Sequence, residues 1–326
     1  MHIKTKLGMS VLLLAFAAAC FFSQTKMPAE THNAALRYWM AFAELQDTGA
    51  DQAAATLINK TLSGEVPWDE AQVGHIIDDN LEPLAIMQRA TKLPDCDWGL
   101  EYGLGPRTPL PFVRNSARTL ARLNTLYALR LISKGDAQNA TDSVLAGIRF
   151  SQNLAKGESL LATLVSNAAL VFNFKAAMRG AQSNVLNSAQ RKQVQVAVQE
   201  LPETGFDWGL AMWYEVVPMD TTIREMEKAA SPAAYYQEMI VASAPQNFTV
   251  PRASDVAAFH QLMGKIEAAL RMPPEQPKDR LKSLQASEKS LHPFFQAIIS
   301  NLSRINDVRA ETQTLRKNLL QAVAEK

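Results

Sequence analysis

VRNSARTLARLNTLYALRLISKGDAQNATDSVLAGIRFSQNL, residues 113–154, is the stretch that decides the fold class. Two apolar runs of helical period flank the turn-forming triplet Lys134-Gly135-Asp136. The first, Val113–Ser133, reads as one helix. The second, Ala137–Leu154, places Ala140, Val144 and Ile148 on one face. Neither run alternates as a strand would. Downstream, Glu158–Arg179 reads as a third helix, uncharged from Ser159 to Phe174 yet holding Ser166, Asn167 and Asn173. That run is too short and too polar for a membrane span and predicts the buried central helix of an α domain.

The same period extends in both directions. Ala34–Leu45 repeats Leu36, Trp39, Met40 and Ala43, and Asp51–Leu62 repeats Ala54, Leu57, Ile58 and Leu62. A further helix is predicted over Asp69–Thr91, with a kink or break at Glu82-Pro83. Leu93–Pro111, with Asp95-Cys96-Asp97-Trp98 and Gly103-Leu104-Gly105-Pro106, reads as an ordered surface loop. After Leu201-Pro202-Glu203-Thr204-Gly205 the character changes. Phe206–Val217 is aromatic-rich and interrupted by Pro218; helices follow near Pro232–Ala242 and Ser254–Arg271, and a long amphipathic helix is expected over Pro293–Ala324. Its stripe runs Ile298, Leu302, Ile305, Leu315 and Leu319. Asp-Trp-Gly-Leu occurs at both Asp97–Leu100 and Asp207–Leu210, a weak hint of duplication.

The segment Asn124–Phe150 resembles a single tetratricopeptide-type hairpin. Ala128 stands where the first helix needs a small residue, Gly135-Asp136 makes the turn, and Ala140 begins the packing face of the second helix. The wider pattern joins the Asn33-Ala34-Ala35 helix start, the Cys96–Gly99 loop, an Arg-rich helix and this hairpin. It resembles a loose set of exported bacterial α-helical proteins with no assigned activity, over about Asn33–Arg179. The resemblance implies no catalytic residues to carry over. The expected fold is all-α: a helical-hairpin, tetratricopeptide-like array over residues 27–200, then a C-terminal helical region over 201–326.

Residues 1–26 read as an export segment. Lys4 and Lys6 precede the uncharged run Leu7–Phe22, the layout of a secretory signal. Its sixteen residues fall short of the about 17–25 that a spanning helix needs. Ala17-Ala18-Ala19-Cys20 fits a signal-peptidase site, or a weak lipobox with Cys20 lipidated; an uncleaved anchor is the third reading. In a bacterium all three place the chain beyond about Met27 in the periplasm or on the extracytoplasmic face of a membrane. Membrane contact is expected through this segment only.

Composition excludes some classes. About 300 residues remain after the leader, enough for one large or two ordinary domains, and 47% apolar content is that of a soluble globular chain. A formal charge of +1 argues against a nucleic-acid binder. With Cys20 at the edge of the leader, Cys96 is effectively alone, and no disulfide framework is expected.

Candidate chemistry is sparse. Cys96 lies between Asp95 and Asp97, whose charge opposes the thiolate a nucleophile needs, so it reads as a small packing residue beneath Trp98. Arg114, Arg118 and Arg122, at i, i+4 and i+8, form one cationic stripe with Arg107 just before it. That pattern suits a carboxylate or phosphate, or a solvated face. His32, His75, His260 and His292 are scattered, with Asp78-Asp79 near His75; no metal motif, nucleophile elbow or Gly-rich phosphate loop occurs, and no cofactor is implied. Trp208, Trp213 and Tyr214 read as core before groove. The sequons at Asn59, Asn139, Asn247 and Asn301 bear on a eukaryotic secretory route alone. The expectation is a binding or scaffolding module with protein partners in the cell envelope. The alternative is an envelope enzyme or anion binder centred on the Cys96 loop and the arginine stripe.

Overall fold

Every regular element among the described residues is a helix. The computed structural model describes residues 31–46, 52–101, 115–240, 248–296 and 302–324. It divides into two units, Met1–His32 and Asn33–Lys326. The leader, with Cys20, lies outside the described residues. No strand occurs among the described residues, and an isolated bridge pairs Asn33 with Asp95. The fold class is all-α.

The chain opens with α1 (Ala34–Ala43), α2 (Gln52–Ser63), α3 (Glu70–Asp78) and α4 (Leu81–Ala90). Asn33 caps α1, accepting from the Ala35 N–H at 3.0 Å, and Asp69 caps α3 through the Ala71 and Gln72 N–H groups. The break expected at Glu82-Pro83 falls instead at Asp79-Asn80. Pro83 sits in the first turn of α4, where a backbone N–H has no helical partner and its loss costs nothing. Asn80 makes the corner: its Oδ1 accepts from Gln46 N at 3.0 Å and its Nδ2 donates to Ile76 O at 3.0 Å. Pro218 repeats the lesson in α10 (Val216–Lys228), entering its first turn rather than interrupting it.

The centre is α5 (Ser116–Ser133), α6 (Ala137–Ala155) and α7 (Leu160–Gln182), each packed on the other two. Gly135, at φ +72°, takes the left-handed conformation that ends α5, and Asp136 caps α6 through the Asn139 N–H. Ala128 and Ala140 are fully buried where α5 and α6 approach. Asn124 Nδ2 donates to Ser143 O at 2.9 Å across the pair.

Helix α7 runs on to Gln182, so its length and composition would allow a membrane span, which the uncharged run Ser159–Phe174 alone would not. Packing decides its role. Ala162, Val165 and Ala169 join the core built from α1–α6, while Leu170, Phe174 and Ala177 join a second core with the later helices. A helix apolar all round is the buried one.

Beyond it come α8 (Ser188–Gln199), α9 (Trp208–Trp213), α10, α11 (Pro232–Ile240), α12 (Ala253–Leu270), α13 (Lys278–Ser287), α14 (Pro293–Gln296) and α15 (Leu302–Ala324). The sequence pattern missed α8, α10 and α13, and read the stretch that holds α9 only as aromatic-rich. The first had a readable signal, the capping box of Asn187 with Gln190. The last expected helix, Pro293–Ala324, is described as α14 and α15, with Ile298 outside the described residues. Leu302, Ile305 and Leu319 are buried, and α15 packs on α7. The change of character near residue 200 therefore does not divide the core.

The two Asp-Trp-Gly-Leu motifs take different conformations. Gly99, at φ +64°, lies in irregular chain, whereas Gly209 lies inside α9, so the repeat marks no common local structure.

Candidate functional site

The arginine stripe lies on α5, which places Arg118 and Arg122 over α2 and α7. Arg114 and Arg107 lie outside the described residues. Arg122 Nη2 donates to Asn59 Oδ1 at 2.8 Å, and no acid pairs with Arg118 or Arg122 among the described residues. Arg118 is exposed; Arg122 is half-buried, and burial holds its guanidinium below the ordinary value. Two cavities meet at Arg122. One, of about 220 Å³, is walled by Ile58, Ile76, Leu123 and Leu126; the other, of about 200 Å³, holds Arg118 and Asn59 over Val165, Ala169 and Phe172. Guanidinium groups above an apolar floor with a neutral amide partner suit a carboxylate or phosphate oxygen.

Cys96 stands in different surroundings. The 95–97 loop is tied to the start of α1: Ala34 N donates to Asp95 O at 2.7 Å, Asn33 Nδ2 to Asp97 O at 2.8 Å, and Asp97 N to Asn33 Oδ1 at 2.9 Å. Buried behind it, Cys96 Sγ donates to Asn153 O at 3.8 Å, and Trp98 Nε1 donates to the same oxygen at 2.8 Å. Tyr38 stacks on Trp98 at 5.6 Å and receives Asn153 Nδ2 at 2.8 Å on its hydroxyl. Burial pushes the Cys96 thiol up to about 11. A thiol held that high is a packing group at neutral pH.

Among the described residues, His260 and His292 have partners of their own. His260 Nε2 lies 2.8 Å from Asp220 Oδ1, and His292 Nε2 lies 3.3 Å from Thr249 Oγ1, with burial lowering its imidazole. Asp78, beside His75 in sequence, pairs instead with Arg130, which also holds Glu70. Among the described residues no group of three His, Cys, Asp or Glu side chains is placed to hold a metal. Trp208 is in the core and Trp213 packs against it.

Three polar features escaped the sequence reading. The Asp220–His260 pair joins α10 to α12 across 40 residues, and no local signal announces it. Glu215 accepts from the Leu160 N–H at 2.8 Å, capping α7 from far along the chain; burial raises its carboxyl. Arg309 is 1% exposed in α15. It did have a signal, standing four residues after Ile305 on the buried stripe.

No protein-family model matches the chain, and no curated protein or solved structure matches it either.

Proposed function

We propose that the chain is an exported or envelope-anchored binding module, a helical-hairpin array of tetratricopeptide-like packing that scaffolds protein partners outside the cytoplasm. The observation that carries this reading is the outer face of α1. Leu36 is 54% exposed and Met40 50% exposed, one turn apart on the same helix face. The opposite face of α1 is fully committed: Ala34, Ala35, Tyr38 and Ala41 are buried. An apolar pair beside the partly buried rings of Trp39 and Phe42 supports contact with another protein surface. The burial of Cys96 and its bond to the Asn153 carbonyl weigh against an enzyme centred on that loop. The test is affinity capture from envelope extract with the full chain and with Leu36→Glu/Met40→Glu. The expected result is a stoichiometric partner that the double variant loses. Equal capture by both chains overturns the reading.

A second reading, anion binding at the stripe, is favoured by one observation: Arg122 faces the neutral Asn59 rather than an acid. Titration with inorganic phosphate against Arg122→Gln tests it. Unchanged binding in the variant removes this reading without touching the first.

A further inference from the structure

One face of α6 carries charges of opposite sign two turns apart. Asp142 and Arg149 stand at i and i+7, so both lie on the same face, and the helical rise separates their Cα atoms by on the order of 10 Å. Both line a cavity of about 540 Å³ bounded by α6, by α5 and by the end of α4. That size is within the range of small-molecule sites, about 300–1,000 Å³. Lys92 also lines it, and its place follows from two contacts. Gln88 Nε2 lies 3.5 Å from Ser143 Oγ, and Cys96 Sγ reaches Asn153 O, so residues 88–96 run alongside 143–153 in the same direction. Lys92, beyond Gln88, therefore lies nearer the level of Arg149 than that of Asp142. The cavity has a cationic end and an anionic end.

These charges are open to a ligand. Lys92 and Asp142 are exposed and Arg149 is partly so, and among the described residues none of the three belongs to an ion pair. The side-chain N–H groups of Lys92 and Arg149 make no hydrogen bond and are not shut away from solvent. Asp142 Oδ1 accepts from Gln138 Nε2 at 3.1 Å, with no bond on Oδ2 among the described residues. The rest of the wall is mixed. The Tyr127 ring, Leu145 and Ala146 supply apolar surface, while Tyr127 Oη and Gln88 Oε1 make no hydrogen bond and suit backbone N–H groups. Length decides between zwitterions. A free amino acid spans a single residue's about 3.5 Å and reaches one end, whereas three extended residues span about 10 Å and reach both.

We propose that this cavity binds a short peptide with both termini free, about three residues long. The peptide's ammonium group pairs with Asp142, its carboxylate with Arg149 and Lys92, and an apolar middle side chain rests on Leu145 and Ala146. No residue of the exposed α1 face or of the arginine stripe takes part, so failure here leaves both readings above intact.

Calorimetric titration of the full chain tests the proposal with the peptide Ala-Leu-Ala, its N-acetyl form, its C-terminal amide, and free alanine. The expected result is that Ala-Leu-Ala binds about fivefold or more tightly than either blocked form, the effect of losing one exposed ion pair, and more tightly than alanine. Asp142→Asn should remove the preference over the N-acetyl peptide and keep the preference over the amide. Lys92→Gln/Arg149→Gln should do the reverse. A merely structural role for these residues would weaken all the peptides together. Equal binding of free and blocked peptides by the parent chain, alanine binding as tightly as Ala-Leu-Ala, or variants that shift both preferences alike overturns the proposal.

Discussion

The carboxamide of Asn173 occupies the space where Gly147 lacks a side chain: a Cβ built on Gly147 would lie 2.0 Å from Asn173 Oδ1 and 2.4 Å from its Cγ. Asn173 is fully buried, donates to Ala169 O at 2.8 Å and leaves Oδ1 without a partner. The glycine lets α6 and α7 meet around a polar side chain. Gly147→Ala should destabilise by about 1 kcal/mol, because overpacking by about 1–3 kcal/mol outweighs the helix propensity gained, about 1 kcal/mol. Asn173→Ala in that background should recover most of the loss. Urea denaturation of the four chains measures the coupling, and strictly additive effects would show that the two residues do not share this space.

The thiol of Cys96 should be silent in the folded protein. Burial holds it near 11, and it points to the Asn153 carbonyl rather than to solvent. Iodoacetamide at pH 8 should label it only as fast as the chain opens, with full labelling in denaturant. Cys96→Ser should lower the melting temperature, at a cost of about 1–2 kcal/mol for a less apolar buried group, and leave partner binding intact. Rapid native alkylation would falsify the structural role.

The helices of the centre were legible because their signals are local. Gly135-Asp136 and the periods of Val113–Ser133 and Ala137–Leu154 place a turn and two faces within a few residues of one another. Errors arose where one residue type has two uses. Pro83 and Pro218 looked like breaks, yet each serves in a first turn, and the break near Pro83 is made by Asn80 instead. The candidate sites were less legible. Asn33 with Asp97, Arg122 with Asn59, and Arg309 with Met272 are pairs made by packing across 64, 63 and 37 residues. The stripe of arginines was visible, but its neutral partner was not. The loop and helix-start motifs that carried the resemblance also prove to be hydrogen-bonded neighbours, a relation their separate sequences do not express.

Two carboxylates should give stability opposite pH dependences. Arg130, with the Trp68 indole, holds the Glu70 carboxyl down to about 2. A depressed acid contributes stability above its unfolded value and loses it as pH falls, here from about 4.5 toward 2. The gain is small because Glu70 is half exposed. Glu215 is raised by burial, so its contribution is present below its unfolded value and is lost as pH rises through its folded one. Urea midpoints from pH 2 to 7 should therefore show Arg130→Met flattening the acid limb. Glu215→Gln, which keeps an acceptor for Leu160 N, should match the parent at pH 3 and exceed it progressively above pH 4.5. A constant offset for Glu215→Gln at all pH values would remove the carboxyl from this account.

The leader makes the most direct prediction, because its three readings leave different products. Lys4 and Lys6 followed by the uncharged Leu7–Phe22 favour export, and Ala17-Ala18-Ala19 offers a cleavage site just before Cys20. A cleaved chain begins near Cys20 and is released by osmotic shock. A lipoprotein begins at Cys20 with the mass of its acyl chains and stays with membranes, and an anchored chain keeps Met1 in the membrane fraction. Intact-mass and N-terminal peptide measurements on fractionated cells separate the three. The expected outcome is cleavage near Cys20, with the chain from about Met27 onward outside the cytoplasm, where the α1 face of Leu36 and Met40 would meet envelope partners. A soluble cytosolic chain with Met1 intact would defeat export. It would leave the Leu7–Phe22 run to be buried within the protein itself and would direct the search for partners of α1 to the cytoplasm.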